Sequence, residues 1–277
     1  MRFRIRHVTT YRYDRPITLG RHVIRLRPRE DGLLTLDSFA LSIHPPPAGL
    51  SPVLDLEGNA TYVAWFDSDV QELRVSVRSE GRTLPRPSLL LEPDAVQLPV
   101  DYGMTQSGVF AYLRLDPMER SVTDFAHNIA RESEADTLTF LNQLNQRLHE
   151  QLQTIQRLTG EPLAPEQTLR DGKGSCRDLA VLFVACCRSQ GIAARFVSGY
   201  FPAHPGDKQH MHAWAEAYLP GAGWRAYDPT QGGEVGERHV AVAAAAESLM
   251  ATPIFGFYNG DARSGMDIEL SVDILED

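Results

Sequence analysis

The chain has 277 residues, 43% of them apolar and 23% charged, which is ordinary for a globular protein and excludes a collagen, a long coiled coil or a wholly disordered chain. This length suggests about two domains and is enough to bury a core without staples. Lysine plus arginine number 27 against 36 for aspartate plus glutamate, a net charge of −9, so no nucleic-acid or anionic-membrane partner is expected.

Residues 1–95 read as an N-terminal β-domain. Phe3, Ile5 and His7 alternate with Arg2, Arg4 and Arg6, the period of a half-buried strand. Val23, Arg25 and Arg27 alternate with Ile24, Leu26 and Pro28 in the same way, and residues 34–43 continue the pattern until Pro45-Pro46-Pro47. Residues 55–59 predict a turn, and residues 61–66 and 72–77 predict strands rich in Val, Tyr and Trp. Many short strands between glycines and prolines predict a sandwich or barrel. The arginines of this region are read as solvated strand faces, Asp67-Ser68-Asp69 as a turn, and the glycosylation-like triplet Asn59-Ala60-Thr61 as part of a turn.

Residues 84–100 are proline-rich and predict a connection draped over a surface. A core over 96–277 follows, with a last strand free to pack on either domain. Val122, Phe125, Ala126 and Ile129 share one helix face, and Leu138, Leu141, Leu144, Leu148, Leu152 and Ile155 mark a longer amphipathic helix. Gly172-Lys173-Gly174-Ser175 opens a third helix from Cys176 to about Gln190, with Gly191 just past its end. Strands are predicted at 193–200, 211–219, 224–227 and 267–275, whereas 232–262 carry no clear period. Strands, then helices, then strands again give an α+β protein. No stretch reaches about 18 apolar residues, so no membrane helix is expected. Met1-Arg2-Phe3-Arg4-Ile5-Arg6 has no apolar run behind it, so it does not read as a secretory signal. The cysteines are Cys176, Cys186 and Cys187; an odd, clustered set fits a reducing compartment, read as the cytoplasm.

Cys176 stands at the first turn of an apolar helix, behind Ser175 as N-cap and with Asp178 three residues on as capping partner. A helix N-terminus carries about half a positive charge, which favours the thiolate, the nucleophilic form of cysteine. Such a nucleophile needs a histidine. In residues 211–219, His212, Trp214, Glu216 and Tyr218 share one strand face, and Ala213, Ala215, Ala217 and Leu219 the other, suited to close packing on the cysteine helix. If Tyr218 pairs with Trp224 across Pro220-Gly221-Ala222-Gly223, Asp228 becomes the diagonal neighbour of His212 and can fix its tautomer. The rival reading of His212 is a structural histidine. A zinc site from His204, His210, His212 and Cys176 matches no common spacing, and neither metal nor cofactor is expected. Cys186 and Cys187 read as core residues. Trp214 and Tyr227 could wall a cleft or fill the core.

Four blocks of the sequence also resemble a family. Gly174-Ser175-Cys176-Arg177-Asp178-Leu179-Ala180, Ala194-Arg195-Phe196-Val197-Ser198-Gly199-Tyr200, His212-Ala213-Trp214-Ala215-Glu216-Ala217-Tyr218-Leu219 and Trp224-Arg225-Ala226-Tyr227-Asp228-Pro229-Thr230 resemble the bacterial transglutaminase-like superfamily in order and spacing. Tyr11-Arg12-Tyr13-Asp14-Arg15-Pro16 with Arg25-Leu26-Arg27-Pro28 is similar to the bacterial transglutaminase N-terminal region. The resemblance implies a papain-like cysteine-enzyme core with Cys176 as nucleophile, His212 as base and Asp228 as its partner. It implies thioester chemistry on a peptide or carboxamide carbonyl, with a peptide or protein substrate and an amine as a possible acceptor. The family holds proteases, transamidases and glycanases, so the acceptor stays open, as does a silent binding module of the same fold. Gln231 stands where the family commonly has Asn. Thr154 stands where an aromatic often precedes the cysteine loop, which leaves the oxyanion side chain unassigned.

Overall fold

The computed structural model describes residues 1–85, 89–103, 108–115, 117, 119–204 and 206–275, with Glu234 described by its backbone alone. In chain order the first strands are β1 (Arg2–Ile24), β2 (Leu34–His44), β3 (Gly49–Leu54), β4 (Ala60–Trp65) and β5 (Asp69–Thr83). The middle of the chain holds α1 (Phe110–Leu113), α2 (Arg120–Glu132), α3 (Thr137–Gln151), β6 (Gln153–Thr154), α4 (Pro165–Asp171), β7 (Lys173–Gly174) and α5 (Cys176–Ser189). The rest is β8 (Ala194–Tyr200), β9 (Met211–Leu219), β10 (Gly223–Asp228), β11 (Gly233–Glu234), β12 (Val240–Ala245), β13 (Ile254–Asn259) and β14 (Ser264–Leu275).

The molecule is α+β. β1 is the spine of a seven-stranded sheet. Phe3, Ile5 and His7 are buried while Arg2, Arg4 and Arg6 are exposed, as the alternation predicts. β5 pairs with one edge of its first half and β14 with the other, from Arg2↔Leu275 to Tyr13↔Ser264. The register slips between Arg12 and Ile17, and the second half pairs with β13 and β4. A strand of this length cannot stay straight in one ladder, so the sheet curls. The last strand thus lies in the N-terminal sheet, which is completed by chain from both ends of the sequence.

The strand expected at residues 23–28 ends at Ile24. Arg25 is buried there, held by Asp55 at 3.5 Å and by the Thr252 carbonyl at 3.3 Å. It leaves the ladder because its backbone N–H bonds Pro253 O at 2.6 Å instead.

A second, five-stranded antiparallel sheet runs β11-β10-β9-β8-β12. α5 and α3 pack on it and α2 packs against both of them, and Leu179, Leu182 and Phe183 of α5 meet Ala215, Ala217 and Leu219 of β9 in one core. Alanines on that strand face let the helix axis come close. The helix expected to reach Ile155 ends at Gln151, because Leu152 turns extended. Residues 153–154 instead pair in parallel with residues 173–174 and brace the cysteine loop. The proline-rich connection is held to the core by Glu92 N to Pro220 O (3.0 Å) and Leu98 N to Ala135 O (2.9 Å); its residues 86–88 lie outside the described ones.

The two sheets are joined by a polar plug. Asn59 is fully buried. Its Nδ2 donates to Ala244 O at 3.0 Å and its Oδ1 accepts from Ala244 N at 2.9 Å. The side-chain amide therefore acts as one more strand residue against β12, and no glycan fits there. Asp55 Oδ1 shapes the turn by accepting from the backbone of Glu57 (3.0 Å) and Asn59 (2.8 Å). No helix among the described residues is long and apolar enough to cross a membrane.

Candidate active site

Cys176 is the first residue of α5 and is partly exposed. The turn before it is held by Asp178, whose Oδ2 accepts from both the backbone N–H and the hydroxyl of Ser175, each at 2.7 Å. Its Oδ1 accepts from Leu163 N at 2.8 Å and from the Arg157 guanidinium. Burial favours the neutral acid, but Arg157 and the N–H and O–H donors outweigh it and hold the Asp178 carboxyl below the usual range. Asp178 is thus a cap. Cys186 and Cys187 are fully buried in the same helix.

His212 lies near the start of β9 and Asp228 at the end of β10. The hairpin pairs Trp224 with Tyr218 and Tyr227 with Ala215, which is the register the sequence needs to make His212 and Asp228 diagonal neighbours. The His212 Nε2 lies 2.7 Å from Asp228 Oδ2. An ionised carboxylate only accepts, so Nε2 carries the hydrogen and Nδ1 is the nitrogen left for Cys176, which lines the same cleft. Burial lowers the imidazole's basicity, but the hydrogen bonds and negative charges of Asp228 and Cys176 outweigh it and push the pKa up to about 10. Asp228 is fully buried, which opposes its charge; donors from His212, His239 and Thr230 prevail and hold it well below the ordinary carboxylate range.

A cleft of about 220 Å³ opens onto Cys176 and His212. One wall is the core, with Arg177, Ser198, Met211 and Ala213; the other is the N-terminal sheet, with Thr9 and Tyr11 of β1, Ile254 of β13, and Met266 and Ile268 of β14. The cleft shares Arg177, Ser198, Thr252 and Pro253 with a neighbouring groove of about 520 Å³.

A profile of the transglutaminase-like superfamily matches residues 123–229, which include Cys176, His212 and Asp228. A profile of the bacterial transglutaminase-like N-terminal region matches residues 3–81. Residues 123–229 are a transglutaminase-like core, preceded by a bacterial transglutaminase-like N-terminal region. Uncharacterized proteins of Mycobacterium tuberculosis and Mycobacterium leprae are each 26% identical to it, the first over 99% of this chain and 92% of its own, the second over 98% of each. The crystal structure of a candidate cysteine protease from Cytophaga hutchinsonii superposes with a TM-score of 0.75 at 18% identity, covering 100% of this chain and 92% of that one. That likeness shows a shared two-part fold: the curled N-terminal sheet and the transglutaminase-like core.

The structure brings Cys176, His212 and Asp228 together and leaves the suggested zinc set apart. Among the described residues, the one His/Cys/Asp/Glu group tight enough to share an ion is His212, Asp228 and His239, with ligand atoms within 4.8 Å. Those three are joined by hydrogen bonds between Nε2 atoms and a carboxylate. Trp214 and Tyr227 are core residues, Tyr227 stacked on Phe183 at 5.4 Å. Three contributors escape a reading by sequence. Thr230 donates to Asp228 Oδ1 from its N–H (2.9 Å) and its hydroxyl (2.7 Å), a local turn pattern that Asp-Pro-Thr could have signalled. His239 reaches Asp228 from a stretch without period, and the wall from the N-terminal sheet depends on long-range packing.

Proposed function

We propose that this protein catalyses acyl transfer from a peptide or carboxamide carbonyl through a thioester on Cys176. The observation that carries the reading is His212, held by Asp228 through one ring nitrogen and lining one cleft with Cys176. The Cys176 thiolate adds to the carbonyl carbon, and the π pair moves to oxygen. The backbone N–H of Cys176, at a helix start where N–H groups lack intrahelical acceptors, serves as a donor to that oxyanion. On collapse the C–N bond breaks and the leaving amine takes the proton from the His212 imidazolium. Water or an amine then attacks the thioester, gives a proton to His212 and releases the thiolate. Asp228 keeps the ring oriented through both halves.

The open groove beside the cleft suits an extended polypeptide better than a small free amide. A thiol nucleophile and two buried free cysteines suit a reducing compartment, which we take to be the cytoplasm. A peptide and carboxamide library, assayed with and without an added primary amine, tests the reading. Release of amine by the wild type and none by Cys176→Ala is expected, and the amine-dependent share of product separates transfer from hydrolysis. Equal turnover by Cys176→Ala would overturn it.

A further inference from the structure

We propose that His239 is a positioning residue of the site, locking the Asp228 carboxylate in the one orientation that serves His212. The inference rests on the proposed Cys176–His212–Asp228 arrangement and adds a residue to it.

A carboxylate offers about four acceptor positions, two on each oxygen. At Asp228 all four are taken. Oδ1 accepts from the N–H of Thr230 at 2.9 Å and from its hydroxyl at 2.7 Å. Oδ2 meets His212 Nε2 at 2.7 Å and His239 Nε2 at 3.0 Å. The carboxylate accepts only, so His239 also presents an N–H there. Filled on both oxygens, the group cannot turn without breaking a bond that is buried from water.

His239 is itself fixed independently of Asp228. It immediately precedes β12, whose Val240 pairs with Tyr200 of β8, and its backbone N–H donates to Gly236 O at 3.2 Å. Its ring packs on Phe201 at 4.5 Å and edge-on to Trp214 at 5.1 Å. Phe201 also packs against His212 at 5.6 Å, so one aromatic ring spaces the two imidazoles. The side chain of His239 is 5% exposed. A histidine kept only for packing has no need to spend its N–H on the oxygen that orients another imidazole. Arg238 lies over Phe201 at 5.0 Å, and Arg29, Asp31, Glu216 and Glu237 share a small cavity with the ring; these charges stay constant across the variants below.

Without the His239 donor, a buried lone pair of Oδ2 is unsatisfied. The carboxylate then turns or takes a proton more readily, and His212 loses its partner first on the acid side. The test needs no substrate. Full-length wild type, His239→Phe, His239→Asn and His239→Gln are alkylated with iodoacetamide at pH 5 and pH 9, and the Cys176 adduct is followed by mass spectrometry. Circular dichroism and melting confirm that each variant is folded. Phe removes the donor, Asn is too short to reach Oδ2, and Gln places an N–H near the Nε2 position. We expect the pH 5 rate to fall at least fivefold in the Phe and Asn variants, to change less than twofold at pH 9, and to be largely recovered by Gln. A folded Phe or Asn variant with the wild-type ratio of the two rates overturns the role of His239. If Phe does not fold, the Asn and Gln pair decides. Wild-type Cys176 reacting no faster than glutathione at pH 5 would instead overturn the underlying triad.

Discussion

Asp228 is the residue on which the site turns, a buried carboxylate that stays charged because four donors surround it. Asp228→Asn keeps the shape and removes the charge that supports the His212 imidazolium. Steady-state kinetics on a turned-over peptide should show kcat at least tenfold lower with KM little changed. The histidines also set the pH range of stability. His212 is raised to about 10, so its contribution is complete below its ordinary value of about 6.5 and fades as pH rises toward 10. His7 runs the other way. Burial lowers it to about 4, and it bonds Tyr200 OH and Thr9 Oγ1 at 3.0 and 2.9 Å. Its contribution is present above about pH 6.5 and is lost on acidification to about 4, an effect on the order of 3 kcal/mol. Melting curves between pH 4 and 6.5 should therefore fall less steeply for His7→Gln than for the wild type.

The elements that hold the site were readable in the sequence to different degrees. The cysteine helix was, because capping residues, an apolar run and a terminal glycine all agree there. The hairpin was too: strict alternation from His212 to Leu219, with one turn between Tyr218 and Trp224, leaves one register that joins His212 to Asp228. The end of α3 was not. Leu152 and Ile155 continue the helical period, but a long-range pairing to residues 173–174 pulls this stretch extended, and periodicity carries no trace of it. Arg25 was misread for the same reason, since its alternation fits a strand and its ion pair with Asp55 is tertiary. His239 sits where no period marks it. The brace at the helix start is testable by melting. Asp178→Asn leaves the Arg157 guanidinium without its carboxylate and should cost about 2–4 kcal/mol, whereas Asp178→Ala, which also unties Ser175, should cost more.

At the scale of the whole molecule, the two sheets form one working unit. The seven-stranded sheet takes strands from both ends of the chain and supplies a wall of the cleft that holds Cys176. Asn59 ties it to β12 through two hydrogen bonds to Ala244. Asn59→Ala strands a buried backbone N–H and C=O, and calorimetry should find a loss of about 2–4 kcal/mol. Removing residues 1–95 would leave β14 without its partner β1 and bare the apolar cleft wall, so that truncated chain should be poorly soluble. On the opposing wall, Tyr11→Ala should raise KM for a cleaved peptide by several-fold while changing kcat little, because Tyr11 lines the cleft from β1 of the N-terminal sheet, whereas His212 and Asp228 stand on strands of the core.

The most direct measurement is a peptide map of the wild-type protein after brief iodoacetamide treatment at pH 6. A nucleophile paired with His212 predicts a single adduct, on Cys176, formed at least tenfold faster than on glutathione and lost in His212→Ala. Labelling of Cys176 at the glutathione rate, or at the same rate in His212→Ala, would contradict it.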